Sequence, residues 1–311
     1  ARGISRLDPK TDLFTHYPHT NGADSRVAAP TMLYGTMDSQ DHILFGSWGA
    51  GVQVYNPTTD RFDTLPVDPD QSRRGEKNGH KLNDLMVWNI FEDRQHNLWF
   101  STHYNGLTKF DPKSGIYSFY PHSETGDDSL SSAVAWVSYE DSQGRFWVGT
   151  AYGLNLLDRE KNTFKRYLPD DKNPRSLANG SVLAIFEDSK KRLWFGTDMG
   201  LHLYHPETDD FTHYDTHHGF ADPGIRAITQ DHQGNLWVGT NNGVVRFNPD
   251  TLAVKNYTRF NGALIGGITT GAVVVTDSNE IVFGSRNGLY FFDGDKLEKN
   301  QNKITPSAAI T

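Results

Sequence analysis

Three hundred and eleven residues exceed the usual size of one hydrophobic core, so the length implies two domains unless a closed or repetitive architecture takes up the whole chain. The AVILMFWYC set is 36% and charged residues are 22%, which excludes a largely disordered chain, and 30 Lys and Arg against 38 Asp and Glu give a net charge of −8, without the basic excess that a nucleic-acid partner requires. No apolar run approaches the roughly 18 to 20 residues of a membrane span, mean hydropathy is −0.61, and the lack of cysteine excludes disulfides, thiolate metal sites and a cysteine nucleophile.

In chain order, Ala1 to Ser5 carry neither an initiator Met nor a signal-peptide pattern, so removal of an upstream segment is expected. Gly3 to Asp8 and Phe14 to Tyr17 then read as two alternating strands. The same pair returns after Gly51, Gly106, Gly153, Gly200, Gly243 and Gly288, so the chain starts in the middle of a repeating unit. Ahead of each later glycine stands a block of the type Asp-x-x-Gly-x-Leu-Trp-Val-Gly-Thr. It is clearest at Asp141 to Thr150, Asp188 to Thr197 and Asp231 to Thr240, with a fourth copy at Asp93 to Thr102. Leu44 and Val282 take the Trp position in two degenerate copies, and the anchors 44, 99, 147, 194, 237 and 282 are spaced by 55, 48, 47, 43 and 45. An inner run such as Val182 to Phe186 precedes each block.

Period-two alternation between Asp/Gly turns predicts four short antiparallel strands per unit and no sustained helix. Units of about 45 residues built this way are blades of a β-propeller, whereas a helical solenoid of similar period needs 3.6-residue periodicity. Counting third-strand starts predicts an all-β, seven-bladed propeller over residues 1–300, with 301–311 a linker towards a downstream domain. Only six second strands accompany the seven third strands, so one blade is incomplete or closed by the termini, by residues upstream or by Lys303 to Thr311.

Trp99, Trp147, Trp194 and Trp237 recur at one place, where a large planar group fills the wedge between neighbouring sheets. Asp93, Asp141, Asp188, Asp231 and Asp277 are read as turn formers, with Gly144 and Gly234 taking positive φ. EF-hand, nucleotide-binding, zinc-protease and nucleophile-elbow motifs are absent. Thirteen histidines raise a metal reading, but His217 and His218 are adjacent and need a third ligand from elsewhere. Arg73, Arg74, Glu76 and Lys77 form a short run of mixed sign, expected in a solvated loop.

Function is expected on the face where the fourth-to-first and second-to-third connections emerge, because there the blades differ. The connections Pro66 to Asp84, Pro121 to Ala133 and Leu168 to Ser181 are the extended ones. The candidate ligand-binding residues are Trp48, His103, Tyr104, Tyr152, Asp198, Asn242 and Arg286 in second-to-third turns, with Trp88, Trp136 and Arg226 at the starts of inner strands. Aromatic faces beside amide and charged groups suit a small polar ligand such as a sugar. Alternatively, Trp88 and Trp136 plug a channel and the others are ordinary turn residues. Asp84, His103 and Asp198 are acid/base candidates only if the fold brings them together. No catalytic residue, metal or cofactor is predicted.

The Asp-x-x-Gly-x-Leu-Trp-Val-Gly-Thr block followed by Gly-Leu-x-x-Phe-Asp resembles the two-component regulator propeller repeat of extracytoplasmic sensor regions in bacterial hybrid histidine kinases and some diguanylate cyclases. The resemblance covers residues 1 to 300 and is strongest in the four Trp-bearing blades. It implies a non-catalytic, periplasmic sensing domain of a membrane-anchored receptor, often for an oligosaccharide. It also implies an upstream propeller, a downstream β-sandwich towards which Ile304 to Thr311 leads, and a possible homodimer, with no membrane contact by this segment. A lyase or glycan-degrading propeller enzyme, or a peptide-binding platform, is the alternative.

Overall fold

Runs of alternating apolar residues joined by Asp- and Gly-containing reversals fold as antiparallel hairpins, because each strand buries one face while the reversal supplies left-handed backbone. A computed structural model of the chain describes residues 3–8, 10–11, 13–20, 26–68, 78–126, 128–178, 180–258, 266–276 and 278–293. Among these the regular structure is β throughout, apart from one 3-10 turn at Thr216–His218.

Strands β1 (Gly3–Asp8) and β2 (Leu13–Pro18) form a two-stranded hairpin. β3 (Met32–Met37), β4 (Ile43–Ser47), β5 (Val52–Asn56) and β6 (Arg61–Thr64) form a four-stranded sheet in chain order. β7 (Asn78–Gly79) adds a fifth strand to the sheet of β8 (Val87–Glu92), β9 (Leu98–Thr102), β10 (Leu107–Asp111) and β11 (Ile116–Tyr120), pairing with the outermost strand, β11. Part of the Pro66 to Asp84 connection therefore runs along a blade's outer edge.

Four-stranded sheets follow from β12 (Ala135–Glu140), β13 (Phe146–Thr150), β14 (Gly153–Asp158) and β15 (Thr163–Tyr167); from β16 (Val182–Glu187), β17 (Leu193–Thr197), β18 (Gly200–His205) and β19 (Asp210–Tyr214); and from β20 (Ile225–Gln230), β21 (Leu236–Thr240), β22 (Gly243–Phe247) and β23 (Val254–Tyr257). β24 (Ile268–Val275), β25 (Glu280–Ser285) and β26 (Gly288–Asp293) form a three-stranded sheet.

The fold is thus an all-β propeller of four-stranded antiparallel blades, but the described residues form six blades, not seven. Counting third-strand glycines includes Gly3, whose strand β1 pairs with β2 alone; among the described residues that hairpin has no inner strands and is not a blade. Asp277, the Arg73 to Lys77 run and the 301–311 linker lie outside the described residues. The turn position equivalent to the repeat Asp is Thr276, whose Oγ accepts from Glu280 N.

The chain packs as two compact units. One comprises Ala1–Glu140, Phe146–Ala151 and Asn155–Arg166; the other comprises Asp141–Arg145, Tyr152–Leu154 and Tyr167–Thr311. In the first unit, Leu44 and Val52 pack with Val87, Ile90 and Phe100 of the next blade, and Trp99 packs with Ala135, Phe146 and Val148. In the second, Trp194 meets Ile225, Ile228 and Val238, while Trp237 meets Ile268, Ile281 and Phe283. These tryptophans are at most 2% exposed, so in each unit they fill the wedge as expected.

The glycine of Trp-x-Gly-Thr has a packing cause. A Cβ on Gly46 would lie 2.5 Å from Val87 O, and one on Gly196 would lie 2.5 Å from Ile225 Cγ2, so the following blade's first strand approaches too closely for any side chain. The repeat Asp does more than make a turn. Asp188 Oδ1 accepts from the backbone N–H groups of Lys190 and Arg192, while Oδ2 accepts from the Trp194 indole at 3.0 Å. Asp93 and Asp231 hold Trp99 and Trp237 in the same way, at 2.8 and 2.9 Å. Successive blades are stapled one residue earlier: Glu92, Glu140, Glu187 and Gln230 each accept from a turn amide of the preceding blade, at Ser39, Arg94, Ser142 and Ser189.

Candidate functional site

The rim is built from two recurring backbone devices. In the second-to-third turn, the hydroxyl that ends the second strand donates to the carbonyl of the third-strand glycine. Ser47 reaches Gly51 O at 2.9 Å, Thr102 reaches Gly106 O at 2.9 Å, Thr197 reaches Gly200 O at 3.2 Å and Thr240 reaches Gly243 O at 3.0 Å. These bonds explain the Thr or Ser of the repeat and give the variable residues between them a fixed frame. The second device is a one-residue β-bulge at the start of five first strands. Val87 pairs with Thr102 and Asn89 with Ser101, leaving Trp88 outside the ladder. Trp136, Leu183, Arg226 and Leu33 occupy the same bulge in their own blades. A bulge re-aims a side chain without ending the strand.

In the first unit five predicted residues come together. Trp48 and Trp88 meet edge to face with centroids 5.6 Å apart, and Trp88 and Trp136 at 4.6 Å. His103 lies 5.4 Å from Trp48, 5.8 Å from Trp88, 6.3 Å from Trp136 and 4.6 Å from Tyr104. The Trp88 indole donates to His103 Nδ1 at 3.1 Å. Trp48 is 41% and Tyr104 42% exposed.

The backbone beneath is clamped by Asp84, which is 4% exposed. Its Oδ2 accepts from Tyr104 N at 2.7 Å and Asn105 N at 3.2 Å, and its Oδ1 from Met86 N at 2.9 Å. Trp48 N donates to Thr31 O, and Gly49 N to Leu85 O.

In the second unit a different set assembles. Arg226 donates from Nε to Asn241 Oδ1 at 2.7 Å and pairs through Nη2 with Asp198 Oδ1 at 2.9 Å. Asn241 reaches Asp222 at 3.4 Å. Asn242 is held through its own N–H, which donates to Thr240 Oγ1. Tyr152 is exposed and covers Gly180, where a Cβ would lie 2.8 Å from the ring. Arg286 is exposed between β25 and β26, and no described residue bonds its side chain.

Of the acid/base candidates, Asp84 is engaged by three backbone amides, His103 by an indole, and Asp198 belongs to the other unit beside Arg226. His217 and His218 both contact Asp215, and no group of three or more metal-ligating side chains occurs among the described residues.

The long connections are less free than their length suggests. Leu130 and Leu177 are buried at 0% and 2%, each bridged in parallel to the connection's start, at His122 and Pro169. A buried third-strand side chain holds the connection that leads into the first strand of a blade in three places: Gln53 accepts from Ala28 N, Asn155 from Ser131 N and His202 from Ala178 N. Sequence reasoning missed this contact because Gln, Asn and His share a geometry, not an identity. Burial, with His213 adding to it, holds His202 down to about 3, so it is a neutral acceptor.

The two component regulator propeller family matches residues 81–104, 129–152, 176–199 and 219–242. Each match runs through a first strand with its bulge, a second strand and the residues of the following turn. No curated protein matches the chain in sequence. Among solved structures, the extracellular domain of a putative hybrid two-component system from B. thetaiotaomicron is 20% identical with a TM-score of 0.71, over 94% of this chain and 38% of that one. The extracellular domain of a putative one component system from the same organism is 19% identical with a TM-score of 0.53, over 95% and 45%. A catalytically inactive virginiamycin B lyase from Staphylococcus aureus with quinupristin is 14% identical with a TM-score of 0.62, over 90% and 83%. The chain spans less than half the length of the two B. thetaiotaomicron domains. At these identities the likeness is one of fold. Among the described residues no helix is long and apolar enough to cross a membrane.

Proposed function

We propose that this chain, built of two-component regulator propeller repeats, is a non-catalytic sensing domain of a membrane-anchored bacterial receptor and binds a small polar ligand or oligosaccharide outside the cytoplasm, in the periplasm. The observation that carries the reading is the aromatic group of Trp48, Trp88, His103, Tyr104 and Trp136, in which the Trp48 and Tyr104 rings are exposed. Ring faces suit the C–H faces of a sugar, and the clamped backbone limits the ordering cost of binding. The repeat family and the two-component sensor domains of similar fold support a signalling role. An upstream propeller and a downstream β-sandwich belong to this reading, as does a dimer or interdomain arrangement that binding shifts.

The test is calorimetric titration of the chain with cellotetraose and maltotetraose, followed by chromatography of the sugar. Expected is saturable binding with the sugar recovered intact, weakened at least about tenfold by Trp48→Ala or Tyr104→Ala, with the melting temperature of the free protein nearly unchanged. A converted sugar overturns the reading in favour of an enzyme. Binding of peptides but of neither sugar overturns it in favour of a docking platform.

A further inference from the structure

We infer that His103 is the specificity-determining hydrogen-bond donor of the aromatic site, held in one neutral tautomer by Trp88 and positioned by Asp84. This rests on the sensing reading only for the ligand, not for the state of the imidazole. An indole N–H can only donate, so the 3.1 Å contact from Trp88 Nε1 makes His103 Nδ1 an acceptor and puts the ring proton on Nε2. Nε2 is not among the buried unpartnered atoms, and no described residue bonds it, so this proton is offered to solvent. His103 neighbours all four other rings of the group, at 4.6 to 6.3 Å.

Three backbone amides and one indole nearby are engaged or enclosed, which leaves the Trp48 indole and the Tyr104 hydroxyl as the other polar groups of the aromatic rings. The Tyr104 and Asn105 amides are taken by Asp84. The His103 amide donates to Met86 O. Trp136 Nε1 is buried. The aromatic face therefore presents a fixed donor at its centre, which selects a ligand carrying a neutral acceptor oxygen on an apolar face and rejects an analogue lacking that oxygen. Asp84 acts through the turn: three amides on one buried carboxylate fix where the imidazole stands.

Two measurements test the assignment. Long-range proton–nitrogen correlation spectra of the whole chain with labelled histidine, at neutral pH without ligand, report the tautomer directly. Expected is Nε2–H for His103 in the parent protein and a mixture of tautomers in Trp88→Phe. An Nδ1–H tautomer in the parent, or no change in Trp88→Phe, overturns the inference whatever the protein binds. Titration with the same tetrasaccharides compares His103→Gln, which keeps a donor, with His103→Phe, which keeps a ring. A loss of about tenfold or more in the Phe variant, with at least partial retention in the Gln variant, supports the donor role. Equal binding by both variants overturns it. If neither sugar binds the parent protein, the sensing reading for these sugars falls and the tautomer spectra alone decide this inference.

Discussion

The wedges between blades and the rim above them are made from the same repeat, yet they treat variation in opposite ways. In the wedge, Trp99, Trp194 and Trp237 are each held by an Asp six residues earlier, and a glycine two residues after Trp194 and Trp237 admits the next strand. At the rim, the bulge carries Leu33, Trp88, Trp136, Leu183 or Arg226 on one unchanged backbone. The wedge tryptophans recur because each must satisfy the same kind of neighbour. Rim residues are free to differ because the ladder does not use them.

The largest effect expected from breaking this contrast is at the wedge. Trp194→Ala removes a fully buried indole and leaves Asp188 Oδ2 without that donor, so denaturant unfolding should show a loss of about 3 to 5 kcal/mol. A loss as large from Trp48→Ala would erase the distinction between wedge and rim.

Next comes the third-strand side chain that holds a connection in place. The His202 imidazole is neutral in the folded protein down to about pH 3, whereas in the unfolded chain it takes up a proton near its ordinary value of 6.5. Below that value the unfolded state binds the extra proton. The contribution is therefore fully present above 6.5 and lost as pH falls from 6.5 towards 3, by at most about 1.4 kcal/mol per pH unit. His202→Gln keeps an acceptor for Ala178 N and should flatten this part of the dependence. Parallel curves for parent and variant between about pH 7 and pH 4 would show that His202 is not a source of acid sensitivity.

The smallest effect lies outside both regions. At the third-to-fourth turn, Asp60, Gly115, Asn162 and Asp209 take left-handed backbone with φ of 54°, 69°, 55° and 57°, and Leu252 sits there at 60°. Leu252 is 54% exposed and contributes little packing. Leu252→Gly should raise stability by about 0.5 to 1 kcal/mol in urea unfolding, the relief of strain less the added freedom of the unfolded chain.

The repeat spacing made the four-strand blade legible, and the Trp and Asp positions followed from it, because these features are local or recur in identical letters. The six-blade count was not legible. A Gly-initiated hairpin looks the same in sequence whether or not inner strands accompany it. The Glu or Gln preceding the turn Asp was in plain view at residues 92, 140, 187 and 230, but its partner lies about one repeat away and is a backbone amide without a side-chain signature. Ten rim residues were named, seven from turn position and three from the starts of inner strands. Five of them share the aromatic group of the first unit, and two, Asp198 and Arg226, pair in the second. Which of these form groups depends on interatomic distance, which strand periodicity does not encode.

The one-residue bulge that opens the first strands has an evolutionary consequence. A side chain standing outside the pairing register can be exchanged for one of another size or charge while the surrounding backbone bonds stay closed. Lineages that inherit such a scaffold can drift from a greasy surface to a charged one by single codon changes, without first finding a compensating mutation elsewhere.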